Sequence, residues 1–193
     1  MEESKGIIFL NPYLIISIVG SHAGEDLTDI FLRKQKEIEK TGKTYWLIQS
    51  YKAKTTQVQN LCREAEIKDT FVYCLFIEPS QKGGAKPTLH DSVVSSVSSN
   101  NQDWKIISDG IKVTGKINKN STALVFDELE ILNISTPLDL WEYSEFKTKK
   151  PIKVILGAST VCCEKIPSHG MKSRYRKIVG VGRLVHPYGL WLK

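Results

Sequence analysis

The sequence predicts an α/β or α+β protein in which an N-terminal βαβαβ unit is followed by a β-rich half. Two observations support this prediction. Short β-branched runs alternate with segments of helical periodicity over the first third of the 193-residue chain, as in βαβ units. After residue 103 the apolar runs become shorter and follow one another more closely, which is typical of a mixed sheet or a small barrel.

The first strand is predicted over residues 14–19, a β-branched apolar run. A helix follows it, because apolar residues recur at helical spacing from residue 27 to 38. Glu25 and Asp26 precede this helix, where their charges suit the positive end of the helix dipole. Gly42 is predicted to end the helix, since glycine readily adopts the left-handed conformation of a helix terminus.

The next predicted elements complete the N-terminal unit. A strand is expected over residues 45–48, a short helix beginning at Thr55 or Thr56, and a strand over residues 70–77. Strand, helix, strand, helix, strand in this order is typical of a right-handed unit with parallel strands.

Residues 79–103 contain prolines, glycines and a run of serines. This stretch is predicted to be a connecting loop, with a short strand or helix among the serines as the alternative. The loop would divide an α/β unit, residues 1–78, from a β-rich basic region, residues 104–193. A single integrated domain over residues 1–193 is the other interpretation.

In the β-rich region, Asp109–Gly110 predicts a hairpin turn. A short helix is expected over residues 137–146, and Pro187, Tyr188 and Gly189 predict a turn before a last strand. The other strands are predicted over residues 104–107, 111–113, 123–126, 152–156, 159–163 and 178–184.

Composition excludes several classes of protein. With 41% hydrophobic and 25% charged residues, the chain suits a globular fold. No apolar run approaches the roughly 20 residues of a membrane span, and the start has no secretory signal, so a cytoplasmic protein without membrane contact is expected. The cysteines have no metal-binding spacing and are expected to be buried thiols; they are Cys62, Cys74, Cys162 and Cys163.

The positive charge is confined to the last quarter of the chain. From residue 147 to 193 there are 11 basic residues and one acidic residue, Glu164, a net charge of +10. The first 146 residues carry a net charge of −4. Such an asymmetry favours a polyanionic partner, because lysine and arginine neutralise phosphates and release their counterions.

The densest cluster of these cations lies in residues 172–177, where four of six residues are basic and one is tyrosine. Arginine offers bidentate hydrogen bonds to phosphate, and tyrosine stacks on unpaired bases. A solvated basic loop is the alternative interpretation. The predicted nucleic-acid-binding residues are Lys172, Arg174, Tyr175, Arg176, Lys177 and Arg183.

A second candidate site is the glycine-containing loop of residues 20–26, between the first strand and the first helix. Backbone N–H groups converge at such junctions and bind ligands. The loop matches neither a dinucleotide-binding nor a phosphate-binding motif, and Glu25 and Asp26 would repel a phosphate. An ordinary turn is the alternative. The candidate ligand residues are Gly20 and Gly24, and the candidate catalytic residues are His22 and Ser21.

The sequence therefore predicts a nucleic-acid-binding protein that uses its basic C-terminal surface and acts on DNA or RNA if it is a catalyst. One alternative is an α/β enzyme that binds a nucleotide or small ligand at Gly20–Asp26; no motif specifies a cofactor or a metal. The other is a non-catalytic subunit of a larger assembly, with a protein partner held by aromatic side chains. These are Trp141, Tyr143, Tyr188 and Trp191.

Overall fold

The fold is a mixed α+β arrangement built on one large open sheet, which confirms the predicted fold class. It is seen in a computed structural model of the protein. The structure describes residues 11–20, 25–48, 50, 53–78, 91–118, 121–132, 142–152, 160–166 and 177–193.

The first two elements form where the sequence predicts them. Strand β1 spans Tyr13–Ile18 and is buried along almost its whole length. Helix α1 spans Leu27–Thr41 and buries Phe31 against the sheet. The helix ends at Gly42, which has a φ of 76° and donates its N–H to the carbonyl oxygen of Ile38 at 2.7 Å. A side chain at this φ would be strained, so glycine is the residue that fits here.

The N-terminal unit continues with strand β2 (Thr44–Ile48), helix α2 (Thr55–Ile67) and strand β3 (Tyr73–Ile77). Strands β1 and β3 are adjacent and parallel. Strand β2 does not join them, because it pairs antiparallel with strand β6 (Thr122–Ile131) at the edge of the sheet. The expectation of three parallel strands is therefore correct for β1 and β3 and wrong for β2.

Strand β4 (Asp91–Ser98) lies inside the stretch predicted as a connecting loop, residues 79–103. The alternative prediction of a strand among the serines is the correct one for this part. The strand forms because its valines reach the core, where Val94 and Val97 are buried against β6 and the end of the chain. The serines among these valines lower the hydrophobicity of residues 91–98, so the pattern of apolar and polar residues alone does not identify the strand.

Strand β5 (Lys105–Thr114) pairs antiparallel with β4. The hairpin turn predicted at Asp109–Gly110 is wrong, because Gly110 lies within β5 at a φ of 58°, where the pairing with β4 is irregular. The turn falls between β4 and β5 instead. It is fixed by the side-chain oxygen of Asn100, which accepts hydrogen bonds from the N–H groups of Gln102 at 2.9 Å and Asp103 at 2.8 Å.

Three strands complete the sheet: β7 (Ser144–Glu145), β8 (Thr160–Glu164) and β9 (Ile178–Leu192). Only residues 142–146 of the helix predicted over residues 137–146 are described. The prediction is wrong there, because these residues include β7, which pairs with β8. Residues 133–141 and 153–159 lie outside the described part of the chain, and with them half of the predicted helix over residues 137–146 and most of the predicted strand over residues 152–156.

The turn predicted at residues 187–189 does not separate two strands. Strand β9 runs through it, because both of its halves pair with the same partner, β6. Gly180 lies opposite Ile131 and Trp191 lies opposite Thr122, with shifts of register between these pairs. The proline and glycine therefore mark an irregularity within one long strand.

The order of the main sheet is β2-β6-β9-β3-β1-β8-β7, and β4 and β5 extend it from the end of β9. Both helices pack on one hydrophobic cluster of the sheet, which contains Phe31 of α1 and Leu61 of α2. A second cluster lies around Leu14 and Leu75, and a third lies between the β4–β5 hairpin and the strands β2, β6 and β9. One sheet thus contains strands from both predicted regions.

Two glycines in β9 permit the aromatic packing of the main core. A Cβ atom added to Gly180 would lie 2.5 Å from Cζ of Phe31 and 3.0 Å from the carbonyl oxygen of Glu130. A Cβ atom added to Gly182 would lie 2.8 Å from Cδ1 of Phe126. The rings therefore lie directly on the backbone of β9, and the sheet cannot accept a larger residue there without movement.

We expect Gly180→Ala to lower the free energy of unfolding by about 1–3 kcal/mol, because the new methyl group overpacks the core against a buried ring and a backbone oxygen. Urea unfolding measures this loss. Gly20→Ala is the matched control, since nothing lies within 4 Å of the position of its added Cβ atom. Equal stability of the two variants would contradict the role of Gly180.

Candidate nucleic-acid interface

Gly20 and Lys177, one described residue from each sequence feature with a predicted binding role, lie at the same edge of the sheet. The N–H of Val19, next to Gly20, donates to the carbonyl oxygen of Ile77 at 3.0 Å, and the N–H of Glu78 donates to that of Lys177 at 3.0 Å. These residues lie at the ends of the neighbouring strands β1 and β3 and at the start of β9. Two strand spacings, about 10 Å, therefore separate the backbones at Gly20 and Lys177. We call this region the carboxyl edge.

Gly20 is exposed at the end of β1, and among the described residues none, chain neighbours aside, lies within 4 Å of where its Cβ atom would stand. The other residues predicted for this loop are Ser21, His22 and Gly24, which lie outside the described residues. Their catalytic and ligand-binding roles stay predictions. Gly20 itself lies just after the carboxyl end of β1, beside the parallel strand β3, and the carboxyl ends of parallel strands are where α/β folds place ligand loops.

Glu25 follows this loop and is held by cations. Nε and Nη2 of Arg33 donate to its two carboxylate oxygens at 3.2 and 2.9 Å, and Nζ of Lys112 lies 3.7 Å away. The hydrogen bonds from Arg33 are the main cause that lowers the pKa of Glu25. The carboxylate is therefore ionised and compensated, so it repels an anion less than the sequence alone suggests.

A neighbouring cation, Lys34, attaches helix α1 to strand β5. Nζ of Lys34 donates to the carboxylate of Glu37 at 2.8 Å and to the carbonyl oxygen of Lys112 at 2.8 Å. The side chain of Lys34 is only 3% exposed. Burial lowers the pKa of Lys34 to about 8, although Glu37 opposes the shift. This lysine thus connects the helix behind Gly20 to the β4–β5 hairpin.

The depressed pKa of Lys34 predicts a pH dependence of stability. Between pH 8 and the ordinary lysine value of 10.5, the unfolded chain binds a proton that the folded protein has released. The free energy of unfolding should therefore rise with pH in this window, by at most about 1.4 kcal/mol per pH unit.

Urea unfolding of the wild type and of Lys34→Met at several pH values measures this effect. The methionine variant lacks the titrating group, so its curve should rise less than that of the wild type. Parallel curves would show that Lys34 does not titrate in this window.

Lys177, the last residue of the predicted basic segment, pairs with Glu78 through a contact of 2.9 Å. Both side chains are close to half exposed, 45% and 44%. Exposed pairs of this kind contribute about 0–1 kcal/mol to stability. A phosphate can therefore replace Glu78 as the partner of Lys177 at little cost.

Arg183 is held much more firmly. Its Nε and Nη2 donate to the two carboxylate oxygens of Asp127 at 3.1 and 2.9 Å, and Nη2 lies 2.9 Å from Glu128. The guanidinium also lies over the ring of Phe71, 5.3 Å from its centre. It stands opposite Tyr73, at the far end of β3 from the carboxyl edge. Its Nε and Nη2 donors are engaged by carboxylates, and it is positioned as a structural anchor.

The structure therefore does not bring together the two described members of the predicted set. Lys177 and Arg183 lie six residues apart on β9, about 20 Å along an extended strand. The other four members, Lys172, Arg174, Tyr175 and Arg176, lie outside the described residues. Their role in binding nucleic acid stays a prediction.

We expect Arg183→Ala to lower the free energy of unfolding by about 1–2 kcal/mol, because the half-buried carboxylate of Asp127 loses a bidentate partner. Thermal and urea unfolding measure this loss. Any affinity of the protein for nucleic acid should keep its salt dependence in this variant. A stable variant with weakened binding would instead place Arg183 in the interface.

Other cations of the last quarter also have partners. Lys149 forms an ion pair with Glu164, and Nζ of Lys165 lies 3.7 Å from Glu142. The ammonium group of Lys193 lies over the ring of Trp104, 3.8 Å from its centre. Much of the late positive charge in the described part of the chain is therefore compensated within the molecule.

Buried hydroxyl groups near the carboxyl edge were not singled out by sequence reasoning. The hydroxyl groups of Ser17 and Thr160 are hydrogen bonded at 2.8 Å, and that of Ser50 donates to the carbonyl oxygen of Thr160 at 2.6 Å. Elsewhere in the fold, the hydroxyl groups of Thr55 at the start of α2 and Thr122 at the start of β6 are hydrogen bonded at 3.0 Å. The position of Ser17 within the apolar run of β1 is the sequence signal from which a buried, hydrogen-bonded hydroxyl group could have been predicted. These bonds connect strands and the start of α2, so their role is structural.

The aromatic residues proposed as interface anchors differ in their surroundings. Tyr143 is 1% exposed and belongs to the core, so its assignment as an anchor is wrong. Tyr188 donates its hydroxyl to Glu66, and Trp191 is half-buried. Trp141 lies outside the described residues. The expectation of a partner protein thus stays a prediction.

The four cysteines are buried and reduced, as predicted. Burial raises the pKa of the thiols of Cys62, Cys74, Cys162 and Cys163. They are therefore protonated and poorly nucleophilic at neutral pH. Across the described ranges, no group of three His, Cys, Asp or Glu side chains is arranged to hold a metal ion.

Neither helix in the described part of the chain combines the length and the hydrophobicity that crossing a membrane requires. Comparison of the chain with models of protein families, with curated proteins and with solved structures finds no match. A function for the chain is therefore inferred from its residues and their geometry.

Proposed function

We propose that the protein binds nucleic acid through the basic segment, residues 172–177, which ends at the carboxyl edge of the sheet. The observation that carries this proposal is the charge partition, with 11 basic residues and one acidic residue after residue 146. Phosphate is the ligand that such a surplus attracts, and the gain comes largely from released counterions.

The ion pairs at the two ends of this segment support the proposal. Before it, Lys165 lies 3.7 Å from Glu142, and after it, Lys177 lies 2.9 Å from Glu78. Each of these flanking carboxylates thus already has a cation beside it. No acidic residue occurs between Lys165 and Lys177, so the positive charge of the segment itself is not compensated locally.

The residue types in the segment suit an extended strand of phosphates. Arg174 and Arg176 offer forked donors to phosphate oxygens. Tyr175 between them supplies a flat ring on which an unpaired base can stack, a contact of roughly 1–3 kcal/mol. Lys177 adds a cation whose present partner is easily displaced, in contrast to Arg183.

We expect fluorescence anisotropy to show binding of labelled single-stranded oligonucleotides at low salt. The triple variant Lys172→Ala, Arg174→Ala, Arg176→Ala should bind much more weakly. Because each phosphate contact contributes about 0.7 to the slope of log affinity against log salt for single strands, the slope should fall by about 2. RNA, DNA and a duplex of the same sequence are compared.

A matched triple variant removes the same charge from exposed cations outside the last quarter of the chain, with alanine at Lys36, Arg63 and Lys105. It should keep most of the affinity and the slope. Equal losses in both triple variants would indicate a nonspecific effect of net charge and contradict a defined interface. Absence of binding by the wild type at low salt would refute the proposed function.

A further inference from the structure

Strands β2 and β5 lie close together without pairing. In the described part of the sheet, β2 pairs only with β6, and β5 pairs only with β4. Both strands nevertheless enclose the third hydrophobic cluster, which contains Val113 of β5 and, at its margin, Leu47 of β2. A Cβ atom added to Gly115, just after β5, would lie 3.2 Å from Cδ2 of Leu47. We call this unpaired junction between β2 and β5 the seam.

Two side chains of helix α1 close one end of the seam. Nζ of Lys34 and Nη1 of Arg33 donate to the carbonyl oxygen of Lys112 on β5 at 2.8 and 3.1 Å. Nη2 of Arg33 also donates to Oγ1 of Thr114 at 3.3 Å. The carbonyl oxygen of Lys112 points away from β4, so these donors satisfy an acceptor that a neighbouring strand would otherwise pair. We call Arg33 and Lys34 the latch.

The latch consists of charged groups that are largely removed from water. Nζ of Lys34 donates to the carboxylate of Glu37 at 2.8 Å, and Glu37 accepts a hydrogen bond from Thr44 of β2. The side chain of Lys34 is 3% exposed, and that of Glu37 is 18% exposed. Desolvation of such charges offsets much of their mutual attraction. Opening would hydrate them again, so the latch stabilises the closed seam by less than its hydrogen bonds suggest.

The hairpin of β4 and β5 is paired to the main sheet at its opposite end. Residues 97–98 of β4, beside the turn of the hairpin, pair with residues 191–192 of β9. Lys112 lies at the other end of the hairpin, opposite Val93. Between these two attachments the hairpin is held by apolar side chains in the third cluster, including Val94. Few backbone hydrogen bonds therefore have to break for the latched end to move.

We propose that the β4–β5 hairpin opens locally at the seam: it pivots on its pairing with β9, the latch releases, and the third hydrophobic cluster becomes accessible while the rest of the sheet stays folded. Elements joined to a fold by few backbone bonds open in this way, at a lower free energy than global unfolding. The described clusters around Phe31 and around Leu14 include no residue of the hairpin. Opening therefore leaves the main core in place.

Cysteine labelling tests the opening. Val113→Cys places a thiol at a fully buried position of the hairpin, where iodoacetamide reaches it only when the seam opens. The four native cysteines are buried in the two other clusters, so they report global unfolding. Peptide mapping gives the two alkylation rates separately. We expect the introduced thiol to react roughly a hundredfold faster than the native thiols.

Variants of helix α1 test the latch in the Val113→Cys background. Arg33→Ala removes two hydrogen bonds from a charged donor to β5 and should raise the alkylation rate of the introduced thiol about tenfold. Lys36→Ala removes an exposed cation of the same helix and should leave that rate unchanged. Gly180→Ala destabilises the main core in the closed and open states alike. It should therefore raise the rate of the native thiols and leave that of the introduced thiol unchanged.

Equal alkylation rates of introduced and native thiols would show that the hairpin exposes its core only on global unfolding, and would overturn the inference. An unchanged rate in Arg33→Ala would refute the latch. Thermal unfolding confirms that each variant folds, and Val94→Cys, equally buried on β4, replaces Val113→Cys if that variant does not. No oligonucleotide is used, so the inference stands or fails separately from nucleic-acid binding.

Discussion

The pairing of β9 with three other strands is the constraint on which the rest of the structure depends. This one strand of 15 residues pairs with β3, β6 and β4, so it joins the N-terminal unit to the β-rich half. Gly180 and Gly182 of this strand have no side chains, so the rings of Phe31 and Phe126 can lie directly on its backbone. The helices can therefore approach the sheet closely and bury a continuous core.

The same strand determines the location of the candidate site. Because β9 starts beside the end of β3, it places Lys177 at the edge where β1 also ends. Because β9 continues past this pairing, it carries Arg183 to the opposite end of β3, where Asp127 and Glu128 bind it. Two cations that the sequence groups together thus lie beside opposite ends of β3 and have different partners.

Local patterns predicted the elements whose signals are local. Helix α1 with its terminal Gly42, the alternation of the N-terminal unit and the buried thiols follow from propensity and hydrophobicity. The errors concern long-range pairing: β2 joins β6, β4 is held by its buried valines, and β9 continues through Pro187 because β6 pairs with both of its halves. No window of sequence contains these partners, so tertiary contacts decided them.

The charge asymmetry between the last quarter and the rest of the chain also has to be interpreted in the light of the ion pairs that the fold creates. A basic quarter attached to an acidic remainder first compensates itself where strands bring the two together, as Lys149 with Glu164 and Arg183 with Asp127 show. A count of cations therefore overestimates the surface that remains for a polyanion. By sequence, residues 166–176 contain no acid, and the described carboxylates Glu142 and Glu78 already lie beside Lys165 and Lys177. Binding capacity then depends on which cations can exchange partners: an exposed pair such as Lys177–Glu78 can do so cheaply, whereas a guanidinium held by two carboxylates cannot.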